Sequence, residues 1–301
     1  MMGAPAPGRG LPAAALLTPD ELAGLRRRSD ARGLWCVAHA WLVIAGCMVT
    51  LAVFPHPLVW LAGVMIVGAR QLGLAILMHD AAHGVLTERR WLNEWLGQYA
   101  CSWPLFADLH AYRAYHLQHH RHTQQAADPD LSLSAPFPIT RASFRRKILR
   151  DLTGQTMFKQ RLAQFRKGVW PLGGAIGFNL GFLLVLTIAG QWHLFFLLWV
   201  VPYFTWFPMV TRIRNIAEHA MVPDNDDPFR NARTTRANLA WRALVAPYWV
   251  NYHVEHHLLM YIPCYRLARF HRLLMAKGHG DRMELRPGYL PVLGLATSRA
   301  G

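Results

Sequence analysis

Two pairs of long apolar runs limit what this chain can become. Leu34 to Phe54 and Leu58 to Met78 are 21 residues each, about 31 Å as helix, the thickness of a hydrocarbon core. Trp170 to Gly190 and Trp192 to Thr211 form a second pair. The links within the pairs, Pro55-His56-Pro57 and Gln191, are too short to hold a separate domain. Each pair therefore reads as a transmembrane hairpin, and the chain as an all-α integral membrane protein with four spans. A composition that is 53% hydrophobic and 12% aromatic agrees with lipid as the solvent.

Basic residues orient the spans, because Lys and Arg near span ends stay on the cytosolic side. Residues 1–33 hold 5 of them, 80–168 hold 13 and 212–301 hold 13, with none in either hairpin tip and only Arg70 inside a span. Both termini and the middle segment are expected in the cytosol. A net charge of +15 fits attraction to anionic lipid headgroups, with a docking face for an acidic soluble partner as a second reading. Nucleic acid is not an expected partner, since no nucleic-acid fold signature is present. Cys36, Cys47, Cys101 and Cys264 form no CxxC pair, so neither a disulfide framework nor a zinc ribbon is indicated. The first span reads as an anchor and not a removed signal peptide. Before it, residues 1–33 form a tail in which 1–17 are expected to lack structure. Thr18-Pro19-Asp20-Glu21 then starts a surface helix, with Thr as N-cap and Pro in the first turn. Residues 34–301 read as one membrane domain.

The 16 histidines carry the chemical signal. His79 and His83 in HDAAH stand at i, i+4. His116, His119 and His120 in HLQHH stand at i, i+3, i+4, and HVEHH repeats that spacing with His253, His256 and His257. On a helix each set projects from one face. About 0.05 HxxHH matches are expected by chance at this histidine content, and two occur. Packing alone would bury many polar rings that each need partners, whereas neutral imidazole is the commonest side-chain metal ligand. Asn215 and His219 in NIAEH add an i, i+4 pair after the fourth run, which spacing alone leaves undecided. So many imidazoles suit two first-row ions at four or five nitrogens each, and argue against magnesium and calcium.

In the order and spacing of these boxes the chain resembles the membrane-bound fatty acid desaturase and hydroxylase superfamily, from about residue 34 to about 275. The resemblance implies a helical membrane bundle under a cytosolic helical cap that carries the boxes, with an apolar tunnel for an acyl chain. It implies a non-haem di-iron centre with O2 as co-substrate. Its ligands would be His79, His83, His116, His119, His120, His219, His253, His256 and His257, with Asn215 reaching a metal through water. The reaction would be insertion of a double bond into a fatty acyl chain, by iron held for dioxygen activation in an apolar, water-poor cavity.

Departures narrow the subfamily. Three residues between the histidines of the first box favour a lipid-linked or carrier-linked acyl substrate over acyl-CoA. No His-Pro-Gly-Gly of a fused cytochrome b5 is present, so electrons are expected from a separate ferredoxin or cytochrome b5 type donor. The bacterial inner membrane is the expected location. HDAAHG and HVEHHL also resemble the boxes of carotenoid ketolases and hydroxylases, and the boxes do not separate desaturation from hydroxylation. A membrane zinc protease would use HDAAH in place of HExxH but leave seven histidines idle. Asp80, Asp128, Asp130, Glu218 and Glu255 are candidate acceptors for the outer ring nitrogens of ligand histidines. Arg70, costly inside a span, suggests function without a role. Trp91, Trp95, Tyr99 and Trp103 read as interfacial anchors.

Overall fold

The computed structural model describes residues 11–300. The part of the expected unstructured tail at 1–10 lies outside the described residues. The remainder of that expectation is corrected: Ala13–Ala15 form a 3-10 turn, and Leu16 and Leu17 are buried in the main core. Apolar side chains pull this stretch down despite its turn-forming composition.

The surface helix is present as α1 (Pro19–Arg26), closed by a capping box in which the Thr18 hydroxyl accepts from the Glu21 N–H and the Glu21 carboxylate accepts from the Thr18 N–H. It is tied down by a 2.9 Å ion pair between Glu21 and Lys277.

Three helices are long and apolar enough to cross a membrane: α2 (Asp30–Val53), α3 (Pro57–Ala82) and a third at Trp192–His219. In α2, Cys36, Val37, Ala40, Ile44, Met48 and Leu51 make one buried stripe, while Leu42, Val49 and Val53 face outward, as a helix between protein and lipid requires. From Gly63 onward α3 is buried almost all round. It is the central helix. Three of its glycines give close approach: a Cβ on Gly63, Gly68 or Gly73 would stand 2.8 Å from Leu198, 2.7 Å from Trp206 or 2.6 Å from Tyr248, the small-residue packing typical of membrane helices.

Beyond α3 come α4 (Arg90–Trp95), a π-helical segment at Leu96–Ser102, α5 (Leu109–His122), α6 (Leu131–Ser134), α7 (Arg141–Leu152) and α8 (Gln155–Arg166). Trp91, Trp95 and Tyr99 are exposed, as interfacial anchors would be. Trp103 instead closes over Gly174, where a Cβ would lie 2.3 Å from its ring. The third apolar run forms α9 (Gly173–Ile188), 16 residues and about 24 Å long, shorter than a full crossing. The fourth run, expected to end at Thr211, is continuous with the segment after it: α10 (Trp192–His219) spans 28 residues, with a π turn at Phe196–Val200. Asn215 and His219 are thus on the same rod as the apolar run.

The C-terminal third holds α11 (Leu239–Leu244), α12 (His253–Leu258), α13 (Cys264–Ala276) and α14 (Tyr289–Ala296). The all-α expectation is broken at one place, where Thr234–Thr235 pair in parallel with Leu285–Arg286. This short ladder is held by Arg233, 1% exposed, whose guanidinium donates to Glu284 at 3.0 Å and to the Ala220 carbonyl at 2.9 Å, fastening the chain just after α10.

Candidate metal centre

Four segments far apart in sequence converge at the ends of α3 and α10. HDAAH closes α3, with His83 as its C-cap; HLQHH fills the second half of α5; HVEHH is nearly the whole of α12; His219 ends α10. The nine histidines fall into two groups.

Ligand-type nitrogens of His79, His83, His116, His120 and His256 all lie within 4.8 Å of one another, as do those of His119, His219 and His257. His253 joins the second group, its Nε2 standing 2.8 Å from Nε2 of His219 and 3.1 Å from Nε2 of His257. In the first group, Nε2 of His256 is 3.0 Å from Nε2 of His79 and 2.9 Å from Nε2 of His120, and the His116 and His120 Nε2 atoms are 3.0 Å apart. His122 is outside both.

The helical arithmetic explains the partition. Residues at i and i+4 are about 40° apart around a helix, while i+3 is about 100° from i+4. Accordingly His116 and His120 serve one group while His119 turns to the other, and His253 and His257 serve the second while His256 turns to the first. Each HxxHH box links both groups.

Several rings are oriented from behind. The His119 Nδ1 is 2.8 Å from Asp128, the His219 Nδ1–H donates to the Asn231 carbonyl at 3.2 Å, and the His257 Nδ1 faces the Thr123 hydroxyl at 3.3 Å. Such contacts leave Nε2 as a lone pair pointing inward. Burial, with neighbouring imidazoles adding to it, holds His116, His120, His253, His256 and His257 well below the usual histidine range, and burial takes His83 down to about 3. The rings are therefore neutral, the form that ligates. Facing lone pairs at about 3 Å repel unless a cation lies between them. Two nitrogens bound at about 2.1 Å and at right angles stand about 3.0 Å apart, the separation found here. The His83 Nε2 is buried with no hydrogen-bond partner. Both nests fit a first-row metal ion, and all-imidazole donors argue against magnesium or calcium.

The expected outer acceptors divide. Asp128 takes up its role fully, and it also accepts from the Gln124 and Asp130 N–H groups at 2.8 Å. Burial raises its carboxyl, but the His119 contact and these bonds outweigh it and hold it below the usual carboxylate range. Asp80 is 3.5 Å from the His79 Nδ1 and accepts from the Cys264 N–H at 2.7 Å. Glu218 lies 3.5 Å from the His253 Nδ1 while bonding Arg214 at 2.6 Å. Asp130 is 3.8 Å from His119 and accepts from the Tyr115 hydroxyl. Glu255 is a correction: its carboxylate pairs with Thr234 and His271, away from the boxes, because the face of α12 opposite the ligand face must find its own partners. A zinc-protease reading would need Asp80 free to act as a base, and it is bound instead to the start of α13.

Asn215 lines a cavity of about 50 Å³ beside His119, His219 and His253, together with Tyr112 and Arg214. Tyr112 was not singled out by the histidine pattern. Its ring stacks on His116 at 5.3 Å and 7°, and its position four residues before His116 on the same helix is the signal that pointed there. Replacing Asp128 by Asn should weaken metal retention by about 10- to 100-fold, whereas Asp130→Asn should leave most of it. Elemental analysis after a graded chelator challenge reads both, and equal retention would show that Asp128 does not orient His119.

The family model described as "Fatty acid desaturase" matches residues 55–288. The chain is 28% identical to dihydrorhizobitoxine desaturase of Bradyrhizobium elkanii, over 83% of this chain and 77% of that protein. It is 27% identical to the beta-carotene ketolase of Paracoccus sp. (strain PC1), over 84% and 93% respectively. It is 24% identical to the sn-1 acyl-lipid omega-3 desaturase (ferredoxin) of Synechocystis sp. (strain ATCC 27184 / PCC 6803 / Kazusa), over 72% and 66%. With the match extending through all three boxes, the chain belongs to the fatty acid desaturase family.

Proposed function

We propose that the protein is an O2-dependent di-iron oxidoreductase that introduces a double bond into a lipid-linked acyl chain. The observation that carries this reading is the pair of imidazole nests, five nitrogens in one and four in the other, whose spacing suits first-row ions. His79, His83, His116, His120 and His256 would hold one iron. His119, His219, His253 and His257 would hold the second, with Asn215 reaching it through water.

When bound, the irons supply the dioxygen-activating redox chemistry that removal of hydrogen from an unactivated C–H bond requires. The chain contributes the rest. Asp128, Asn231 and Thr123 fix ring orientation, and burial of His79, His116, His119, His253 and His256 keeps bulk water from the reacting site. Electrons come from a separate ferredoxin or cytochrome b5 type carrier, a reading supported by the ferredoxin in the Synechocystis relative's name.

The test is lipid and pigment profiling of a host with and without the gene. A new double bond in the acyl pool is expected. A new hydroxyl with no new double bond would reassign the reaction. The second reading, oxidation of a carotenoid, is favoured by the ketolase relative, 93% of whose length is matched, and a pigment shift with unchanged fatty acids would establish it.

The arrangement in the membrane is proposed as four spans in two hairpins, with α9 as the short member, and with the boxes and both termini cytosolic in a bacterial inner membrane. Reporters fused at Pro57 and Gln191 should then lie on the opposite side from reporters at Asp128 and Gly301. The same side for all four sites would sink the arrangement.

A further inference from the structure

A cavity of about 570 Å³ lies between α2, α3, α11 and the turn at 247–249. It is separate from the histidine nests. Arg70 precedes His79 by nine residues on α3, about 13 Å along the axis and half a turn round it.

Arg70 is only 7% exposed. One of its nitrogens donates to the Ala243 carbonyl at 2.7 Å, but its Nε is buried with no partner. Arg242 lines the same recess, its guanidinium 5.7 Å from the Trp249 ring. No carboxylate is among the lining residues. Two guanidinium groups thus face one recess without a counter-charge. A buried cation is costly unless paired, so the recess calls for an anion.

The recess also has a direction. Gly33, near the start of α2, sits against the Leu86 carbonyl, so α2 begins at the histidine end of α3 and runs away from it. Val43 and Ile66, which line the cavity, are each one turn farther from that end than His39 and Arg70. Charge at the histidine end and apolar side chains beyond it match the orientation of a lipid in that leaflet, head at Arg70 and Arg242, tail along Val43 and Ile66.

We propose that this recess binds the phosphate head of a net-negative membrane phospholipid. The full-length protein, purified in a zwitterionic detergent, is titrated with phosphatidylglycerol, phosphatidylcholine or inorganic phosphate and read by native mass spectrometry, with and without iron loading. One phosphatidylglycerol per chain should be retained at concentrations where phosphatidylcholine is not. Arg242→Gln should weaken retention roughly fivefold and the double change with Arg70→Gln by about twentyfold or more, while Arg145→Gln on α7 changes nothing. Arg242 is partly exposed, so its variant tests the site even if Arg70→Gln fails to fold. Equal retention of the two lipids, unchanged retention in Arg242→Gln, or binding of inorganic phosphate as strong as that of the lipid would each overturn the assignment. Because the readout does not depend on iron, failure here is distinguishable from failure of the catalytic reading.

Discussion

His256→Ala is expected to reduce bound iron from two ions per chain to about one and to abolish turnover, with the protein still inserted in the membrane. His256 is the member of α12 that turns to the five-histidine nest, where its Nε2 meets both His79 and His120. Removing it deletes a donor and opens the side of the nest on which α12 closes against α3 and α5. Partners that merely orient a ligand change affinity or activity by about 10- to 100-fold, so loss of the donor should exceed a hundredfold. Val254 and Leu258, buried on the same short helix, keep it packed. Iron per chain by elemental analysis and product formation in the same preparation form the test. Full iron content with full activity would remove α12 from the first nest.

The second large effect separates two residues one turn apart on α10. His219→Ala takes away a nitrogen 2.8 Å from that of His253 and should lower both iron and activity, again by a hundredfold or more. Asn215→Ala should keep most of the iron and slow turnover only several-fold. A single water-mediated hydrogen bond is typically worth about 1 kcal/mol, and Asn215 borders a cavity large enough for water without belonging to either histidine group. Equal iron loss in the two variants would make Asn215 a direct ligand. Normal iron in His219→Ala would leave an eight-histidine centre.

The boxes were legible because helical phase is a local property: three residues at i, i+3, i+4 share a face whatever surrounds them. Local phase does not say which box meets which. Placing His256 with His79 depends on the turn before α12, where Tyr248 and Trp249 both adopt positive φ, 50° and 58°. Nothing in that Pro-Tyr-Trp-Val stretch announces it, since such residues rarely take this conformation. His219, undecided by spacing, is placed beside His253 and His257 by tertiary packing. Glu255 was misread for the complementary reason. Sitting between His253 and His256 in sequence, it points about 100° to 200° from them around the helix, toward Thr234 and His271. The apolar runs gave the membrane helices to within a few residues at α2 and α3. At α10 the apolar pattern stops before the helix does, because Arg212 and Arg214 find carboxylate partners in Asp151 and Glu218.

The wide turn at Phe196–Val200 sets the rotational timing of everything after it on α10. A π turn carries one residue more than the α repeat needs, and each residue advances the helix by about 100°. Deleting one residue there would restore the regular repeat within the apolar half and rotate the far half by about that angle, swinging His219 out of its nest more than 20 residues away. The lipid-facing composition of those five residues can vary freely. Their number cannot.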